Sequence, residues 1–333
     1  LVTGGAGFIG SHTCLSLLEK KYKIKVIDSF ENSSHLSLER VKKICRLKEI
    51  SNNLEILNAD LRDINKLDQI FCNARKNDLS IEGVIHFAGL KAVSESVSNP
   101  LLYWDSNLSS SINLLKVMDK YSCRTIVFSS SATVYGKSQK DFFNERDNLR
   151  PENPYGYTKL AIENLLNNLY KSEPEKWRIA NLRYFNPIGA HKSGLIGEDP
   201  RGKPNNIFPI ILEVALGNLP KLKIFGSDWD TLDGTGIRDY IHVMDLAEGH
   251  ILALEYLIMN NPQILNLNLG TGKGTSVLEL INAFQEINKI SVPYEFVKRR
   301  NGDIARIVAD NSLVKSLLNW IPERDLKDMC KDG

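Results

Sequence analysis

The sequence predicts an α/β protein, with a doubly wound parallel sheet followed by a smaller C-terminal α/β lobe. Three observations lead there. Short apolar runs alternate with longer amphipathic ones through the first half. A glycine-rich turn sits where a first strand hands over to a first helix. Near residue 183 the rhythm breaks, and Gly, Pro and Asn then gather in two long loops. Alternating strands and helices of this length form a parallel sheet covered on both faces. After a strand at the very start, the expected strands are residues 23–27, 54–58, 83–87 and 125–129, rich in Val and Ile. The segments between them, 10–20, 36–48, 63–76 and 100–120, carry the 3.6-residue period of helices. The loops span 186–206 and 226–236. A later helix is announced by Ser276 with Glu279, a capping-box pattern ahead of the apolar run 278–287. The expected division is 1–183 for the first domain and 184–333 for the second, with residues 239–257 returning to pack on the first.

Composition narrows the function classes. The chain has 333 residues, room for about two domains. Hydrophobic residues make up 42% and charged residues 25%, which excludes a disordered, collagenous or coiled-coil protein. No run of 18 apolar residues suggests a membrane span. Lys and Arg number 42 against 40 Asp and Glu, a formal net charge of +2, which leaves no footprint for nucleic acid or an anionic membrane. The five cysteines form no C-x-x-C pair and the six histidines show no metal-ligand spacing. Neither a disulfide framework nor a metal is expected, and a reducing, cytoplasmic compartment fits. The chain opens at Leu1, already inside a strand, so further residues are expected before it.

The opening run Leu1-Val2-Thr3-Gly4-Gly5-Ala6-Gly7-Phe8-Ile9-Gly10 has the chemistry of a Rossmann-type phosphate turn. Glycine lets the chain reverse, lets a pyrophosphate approach the backbone and lets the helix pack hard on the sheet. The helix start then offers free N–H groups and partial positive charge to phosphates. Asp28 follows at the end of the second strand. A carboxylate there accepts hydrogen bonds from both adenosine ribose hydroxyls and repels a 2′-phosphate, which favours NAD. Asp60 and Leu61 close the third strand, where a carboxylate reaches an adenine amino group. Phe87, Ala88, Gly89, Leu90 and Lys91 close the fourth, with small residues against which a dinucleotide can lie.

Tyr155-Gly156-Tyr157-Thr158-Lys159 contains Y-x-x-x-K, and positions i and i+4 share a helix face. A free phenol, with a pKa near ~10, is a poor base at neutral pH. An ammonium about 4 Å away contributes about 4 kcal/mol at an effective dielectric of ~20, enough to bring the phenol toward neutrality. Tyr157, two residues from Lys159, faces elsewhere. Ser129-Ser130-Ser131-Ala132-Thr133 follows the fifth strand. A hydroxyl there can bond the reacting oxygen and relay its proton, with Ser131 the candidate and Thr133 a second contact; three serines also suit a polar strand exit.

Together these residues resemble the extended short-chain dehydrogenase/reductase family, and within it the enzymes that invert C4 of UDP-hexoses. Segments 3–14, 86–97, 128–136, 153–159, 182–190, 234–249 and 298–303 carry the resemblance, in family order, over nearly the whole chain. It implies a soluble homodimer that interconverts UDP-glucose and UDP-galactose through a 4-keto sugar, with NAD held throughout, and N-acetylated UDP-sugars as further candidates. It implies Ser131, Tyr155 and Lys159 as the catalytic trio. Cofactor contacts fall on Gly4, Gly7, Phe8, Ile9, Gly10, Asp28 and Asn32, then on Asp60, Leu61, Phe87, Ala88, Gly89 and Lys91, and finally on Ser106, Tyr155, Lys159 and Phe185.

The sugar nucleotide is expected on Lys91, Ser131, Thr133 and Tyr155, with Arg238 and Arg300 as forked donors to the pyrophosphate. Asn186 and Asn206 supply amides and Phe225 an aromatic edge near uracil, with Tyr240 and Asp303 beside them. Simple pairing of Arg238 with Asp239, and of Arg300 with Asp303, is the alternative. Ser106 departs from the family's usual Asn, with Asn107 next to it. Ile307 stands where bulky Tyr restricts the family to glucose and galactose and small residues admit N-acetyl sugars. The chain stops at Gly333, ahead of the family's usual last helical segment. A nucleotide-sugar dehydratase or decarboxylase of the same family is the competing enzyme, but residues 131–135 lack the carboxylate that dehydratases place after the serine run. A non-catalytic scaffold is the other alternative, and it usually loses Tyr or Lys of the pair. The dimer surface is expected on helices 100–120 and 153–171.

Overall fold

Alternating apolar residues along each strand set the architecture. Strands β1 (Val2–Thr3), β2 (Ile24–Asp28), β3 (Leu54–Asn58), β4 (Val84–His86), β5 (Thr125–Ser129) and β6 (Arg178–Tyr184) lie parallel in the order β3–β2–β1–β4–β5–β6, and Gln263–Leu269 adds a seventh strand beside β6. The computed structural model describes residues 1–46, 53–137, 140–202, 204–300 and 303–333. Residues 47–48 of the second expected helix, 203 of the first expected loop and 301–302 of the last motif lie outside the described residues.

Side chains one residue apart on a strand face opposite sides of the sheet. Val26, Ile85, Val127 and Ala180 pack under helices Phe8–Glu19 (α1), His35–Arg46 and Val243–Met259, through Leu15, Leu18, Val41 and Leu246. Their neighbours Ile27, Val84, Ile126 and Ile179 pack on the other face against Leu67, Phe71, Leu114, Met118 and Leu166. Both faces are dry, as a parallel sheet requires. β1 sits between β2 and β4, so the chain leaves it in opposite directions, and the crevice at the strands' carboxyl ends opens there.

Three of the expected helices start at a side-chain cap. Asp63 accepts from the Lys66 N–H ahead of Ile64–Lys76, and Asn153 accepts from the Gly156 N–H ahead of Pro154–Ser172. Ser276 and Glu279 close the capping box of Val277–Asn288. Residues 100–120 differ from the single regular helix expected. Pro100–Tyr103 passes into a π-helical segment, Trp104–Ser109, before Ser110–Lys120. The cause lies in polar side chains: Ser110 and Ser111 bond back to the carbonyls of Ser106 and Asn107, and the Asn107 amide reaches out to Leu90. Bulges of this type are common where a helix faces a functional site.

Beyond residue 184 a third core forms around Phe208, Ile211, Leu222, Tyr240, Leu280 and Phe284. Three small sheets tie it together: Asn186–Ile188 with Tyr240–His242, Leu222–Phe225 with Tyr294–Val297, and Ile237–Arg238 with Thr275–Ser276 and Arg306–Ile307.

One charged pair is buried inside the molecule. Arg183 donates to both carboxylate oxygens of Glu163, at 3.0 and 2.6 Å, and Ser130 donates to the same carboxylate. Losing one partner strands the other charge away from water. Arg183→Met is expected to cost about 3–5 kcal/mol, read as a lowered urea midpoint, and adding Glu163→Leu should recover part of that loss.

Candidate active site

The glycine turn fits a dinucleotide closely. Gly4 has a φ of 67°, a conformation side chains disfavour, and a Cβ on it would stand 2.6 Å from the Ala88 nitrogen. A Cβ on Gly10 would stand 2.3 Å from the Gly4 carbonyl oxygen. α1 begins after Gly7 with no side-chain cap, which leaves its first N–H groups for an anion. A cleft of about 430 Å³ lies against this turn. Gly4, Gly7, Phe8, Ile9 and Gly10 line it, with Asp28 and Asn32, Asp60 and Leu61, then Phe87, Ala88, Gly89 and Lys91. Ser106, Tyr155 and Lys159 complete the expected set. Phe185 alone among the expected cofactor residues lies elsewhere, buried with Tyr135, Phe143 and Ala309.

Asp28 is pre-positioned. One carboxylate oxygen accepts from the Ala6 N–H at 2.9 Å, the other from the Phe30 N–H and the Ser33 hydroxyl. A carboxylate has about four lone-pair sites, so capacity remains for a ribose hydroxyl. Asp60 is already paired: Arg62 binds it through Nε and Nη2, which holds its carboxyl below the usual range. Asn107 is buried, and its amide accepts from the Leu90 N–H at 2.7 Å and donates to the Leu90 carbonyl and to Thr158. It therefore braces the strand exit, and its neighbour Ser106 lines the cleft.

Tyr155 and Lys159 share one buried face of their helix and the same cleft. The ammonium donates to the Ser129 carbonyl at 2.9 Å and lies 4.9 Å from the Phe128 ring centre and 5.8 Å from that of Tyr155. The acidified phenol expected from the spacing is not what the chain alone shows. Burial raises the Tyr155 pKa above its ordinary value, Tyr184 adds to the rise, and the Ser131 hydroxyl opposes it. Burial likewise pushes Lys159 down to about 8, against the pull of Glu163. The water-free setting that brings the two groups together also penalises both charged forms. Ser131 receives the Thr133 hydroxyl at 3.0 Å, while Ser130 points to Glu163.

The expected substrate residues are not gathered in this cleft; of them, Lys91 and Tyr155 line it. Arg238 is half-buried and donates to the carbonyls of Ile237 and Ile304, not to Asp239, whose carboxylate is taken by Thr271, Gly272 and Ala309. Arg300 does pair with Asp303, at 3.1 Å, and its guanidinium covers the Phe225 ring at 4.4 Å. Asn186 stands opposite Tyr240, and Ile307 opposite Arg238, in their small sheets. Ile307 also packs on the cluster that holds Phe185. Asn206 bonds Glu198, which in turn holds Lys91.

Sequence reasoning passed over Arg40, Arg62, Tyr184 and Glu198, all of which line the cleft. Arg40 donates to the Leu195 carbonyl, and Arg201 to that of Phe30, so the segment after residue 189 is strapped across the cleft from both sides. These partners lie more than 150 residues apart, and nothing in local spacing announces them.

A family model described as GDP-mannose 4,6 dehydratase matches residues 1–333. UDP-glucose 4-epimerase of Bacillus subtilis is 50% identical over all of this chain and 95% of its own length. UDP-glucose 4-epimerase 1 of Oryza sativa is 49% identical over all of this chain and 92% of its own. Among solved structures, a UDP-glucose 4-epimerase of Stenotrophomonas maltophila with NAD and formylated UDP-arabinopyranose superposes with a TM-score of 0.93 at 45% identity, covering 99% of this chain and 95% of that one. The Bifidobacterium longum enzyme in complex with NAD+ and UDP gives 0.92 at 44%, with the same coverage.

The depressed lysine has a measurable sign. Between pH 8 and the unfolded value near ~10.4 the unfolded chain binds the extra proton, so raising pH relieves the folded state. In cofactor-stripped protein, wild type should gain stability relative to Lys159→Met as pH goes from 7 to 9.5, measured by urea unfolding. A difference independent of pH would place the ammonium in water.

Proposed function

The chain belongs to the UDP-glucose 4-epimerases of the extended short-chain dehydrogenase/reductase family, and from that membership we infer that it interconverts UDP-glucose and UDP-galactose with NAD. The observation that carries the reading is one cleft lined by the glycine turn, Asp28, Tyr155 and Lys159 together. NAD bound there would supply the acceptor for the C4 hydride and the donor that returns it to the other face of the sugar. Gly4, Gly7 and Gly10 with the start of α1 hold its pyrophosphate, and Asp28 its adenosine ribose. Tyr155, as its phenolate, takes the proton of the sugar 4-hydroxyl and gives it back. Ser131 bonds the same oxygen, and Lys159, charged below about pH 8, faces the phenolate before the proton is taken and after it is returned.

Residues 1–183 form the cofactor part and 184–333 the nucleotide-sugar part, with the helix Val243–Met259 and the strand after it packed on the first. Arg238 and Arg300 hold the diphosphate, with Asn186, Asn206, Phe225, Tyr240 and Asp303 around the nucleotide. Binding strength resting on UDP leaves the hexose free to turn over. Residues 131–135 hold no carboxylate, which supports epimerisation over dehydration. Ile307, smaller than Tyr, supports acceptance of UDP-N-acetylhexosamines. Val97, Leu101, Trp104 and Tyr157 are exposed on neighbouring helical segments and support a homodimer through that face. Five free thiols suit the cytoplasm.

Incubated with UDP-galactose and no added NAD, the protein should form UDP-glucose with no net change in nicotinamide absorbance. A 4-keto-6-deoxy sugar accumulating instead would overturn the assignment. Tyr155→Phe should lower kcat by about 10²–10⁴-fold while the NAD content stays unchanged. Full activity in that variant would remove Tyr155 from proton transfer. Ile307→Tyr should abolish turnover of UDP-N-acetylgalactosamine and spare UDP-galactose; equal loss on both would reject a gating role.

A further inference from the structure

Glu198 is a buried carboxylate to which the chemistry above gives no task. Its side chain is 8% exposed, on the segment that walls the cleft. One oxygen, Oε1, accepts from the Lys91 ammonium at 2.7 Å and from the Asn206 amide at 2.7 Å. The other, Oε2, is out of contact with solvent and has no hydrogen-bond partner. A second, small cavity of about 80 Å³ lies behind the same residue, lined largely by Ile188, Phe208, Pro209 and Leu212. Glu198 therefore stands in a wall between an apolar hollow and the cleft.

A buried carboxylate oxygen without a donor is unfavourable by about 1–3 kcal/mol or more, and such a group is stabilised by whatever donor arrives. The neighbours restrict what that donor is. Lys91 and Asn206 already face Glu198 and are occupied on Oε1. Backbone donors nearby belong to the strapped segment, fixed by Arg40 and Arg201. A neutral hydroxyl entering with the ligand meets the need, whereas a phosphate would be repelled by the carboxylate.

We propose that Glu198 is a ligand-binding residue: it positions Lys91 and Asn206 through one carboxylate oxygen and offers the other to a sugar hydroxyl of the bound ligand. The proposal rests on the nucleotide-sugar reading above. Two sources carry such a hydroxyl, the hexose of the substrate and the ribose of the cofactor, and the test separates them.

The holoenzyme, Glu198→Ala and Glu198→Gln are compared. Nicotinamide content is measured after gel filtration, and UDP-galactose and UDP affinities by calorimetry beside KM and kcat. With a hexose hydroxyl, Glu198→Ala weakens UDP-galactose about tenfold more than it weakens UDP, the UDP loss reporting the freed Lys91 and Asn206, and raises KM by more than it lowers kcat. Glu198→Gln, which keeps an acceptor oxygen at the same place, falls between. With a cofactor hydroxyl, nicotinamide is lost on the column while the affinity for UDP-galactose in excess NAD holds. The proposal is overturned if Glu198→Ala changes neither, or if UDP weakens in step with UDP-galactose, since the carboxylate would then serve only Lys91 and Asn206. Failure of wild type to convert UDP-galactose would reject the epimerase reading, while the calorimetric comparison would still judge Glu198.

Discussion

The site depends on keeping an ammonium charged where water does not reach. Lys159 is buried at the carboxyl edge of the sheet, and burial, opposed by Glu163, pulls its pKa down to about 8. Three neighbours surround the ammonium. The Ser129 carbonyl at the end of β5 accepts a hydrogen bond from it, the Phe128 ring lies 4.9 Å away, and Glu163 sits one helical turn on. Each is placed by the fold: β5 delivers the carbonyl and the ring, and the helix Pro154–Ser172 delivers both Lys159 and Glu163. Ser130 ties the two elements by bonding Glu163. The strand-to-helix distance is thus fixed by the same contacts that hold the charge.

That coupling explains why a second buried charge is tolerated behind the first. Glu163 alone beside Lys159 would be half satisfied. Arg183, reaching from β6, meets both its oxygens and continues to Tyr135, whose hydroxyl donates to Asn268 on the seventh strand of the sheet. Asn268 also bonds the Phe143 and Asp310 carbonyls. A continuous polar network therefore runs behind Lys159 from the helix, across two strands, to the second half of the chain. Networks of this kind are stabilising only when every member is satisfied, and here the bidentate geometry supplies that.

The sheet was legible from sequence because its signal is local. Val26 and Ile27, or Ile126 and Val127, must face opposite dry layers, so apolar runs mark the strands, and Gly4 and Gly10 mark the turn by what a Cβ would strike. The π-helical segment was not legible, because it follows from where Asn107 and Ser110 find partners, and composition does not encode that. The same holds for the straps of Arg40 and Arg201 and for the hold of Glu198 on Lys91, all of which join residues far apart in the chain. Phe185, expected at the cofactor, shows where a motif stops short of side-chain direction: its ring packs in an apolar cluster with Tyr135 and Phe143.

The tyrosine shows most clearly where spacing stops being informative. An i,i+4 pair fixes which side chains meet, and the Coulomb term between them follows from distance. It says nothing of the medium. Here the medium excludes water, so the attraction that favours a phenolate beside an ammonium is set against two desolvation penalties, and for the chain alone burial wins at Tyr155. Such a balance has a chemical use. A phenol that resists ionisation until positive charge lies beside it holds its proton in the absence of ligand. To act as a base it must first give that proton to water, and the positive ring of a bound nicotinamide would join Lys159 in stabilising the phenolate left behind. The penalty at Tyr155 would then be offset in the filled cleft, where the phenolate meets the sugar hydroxyl.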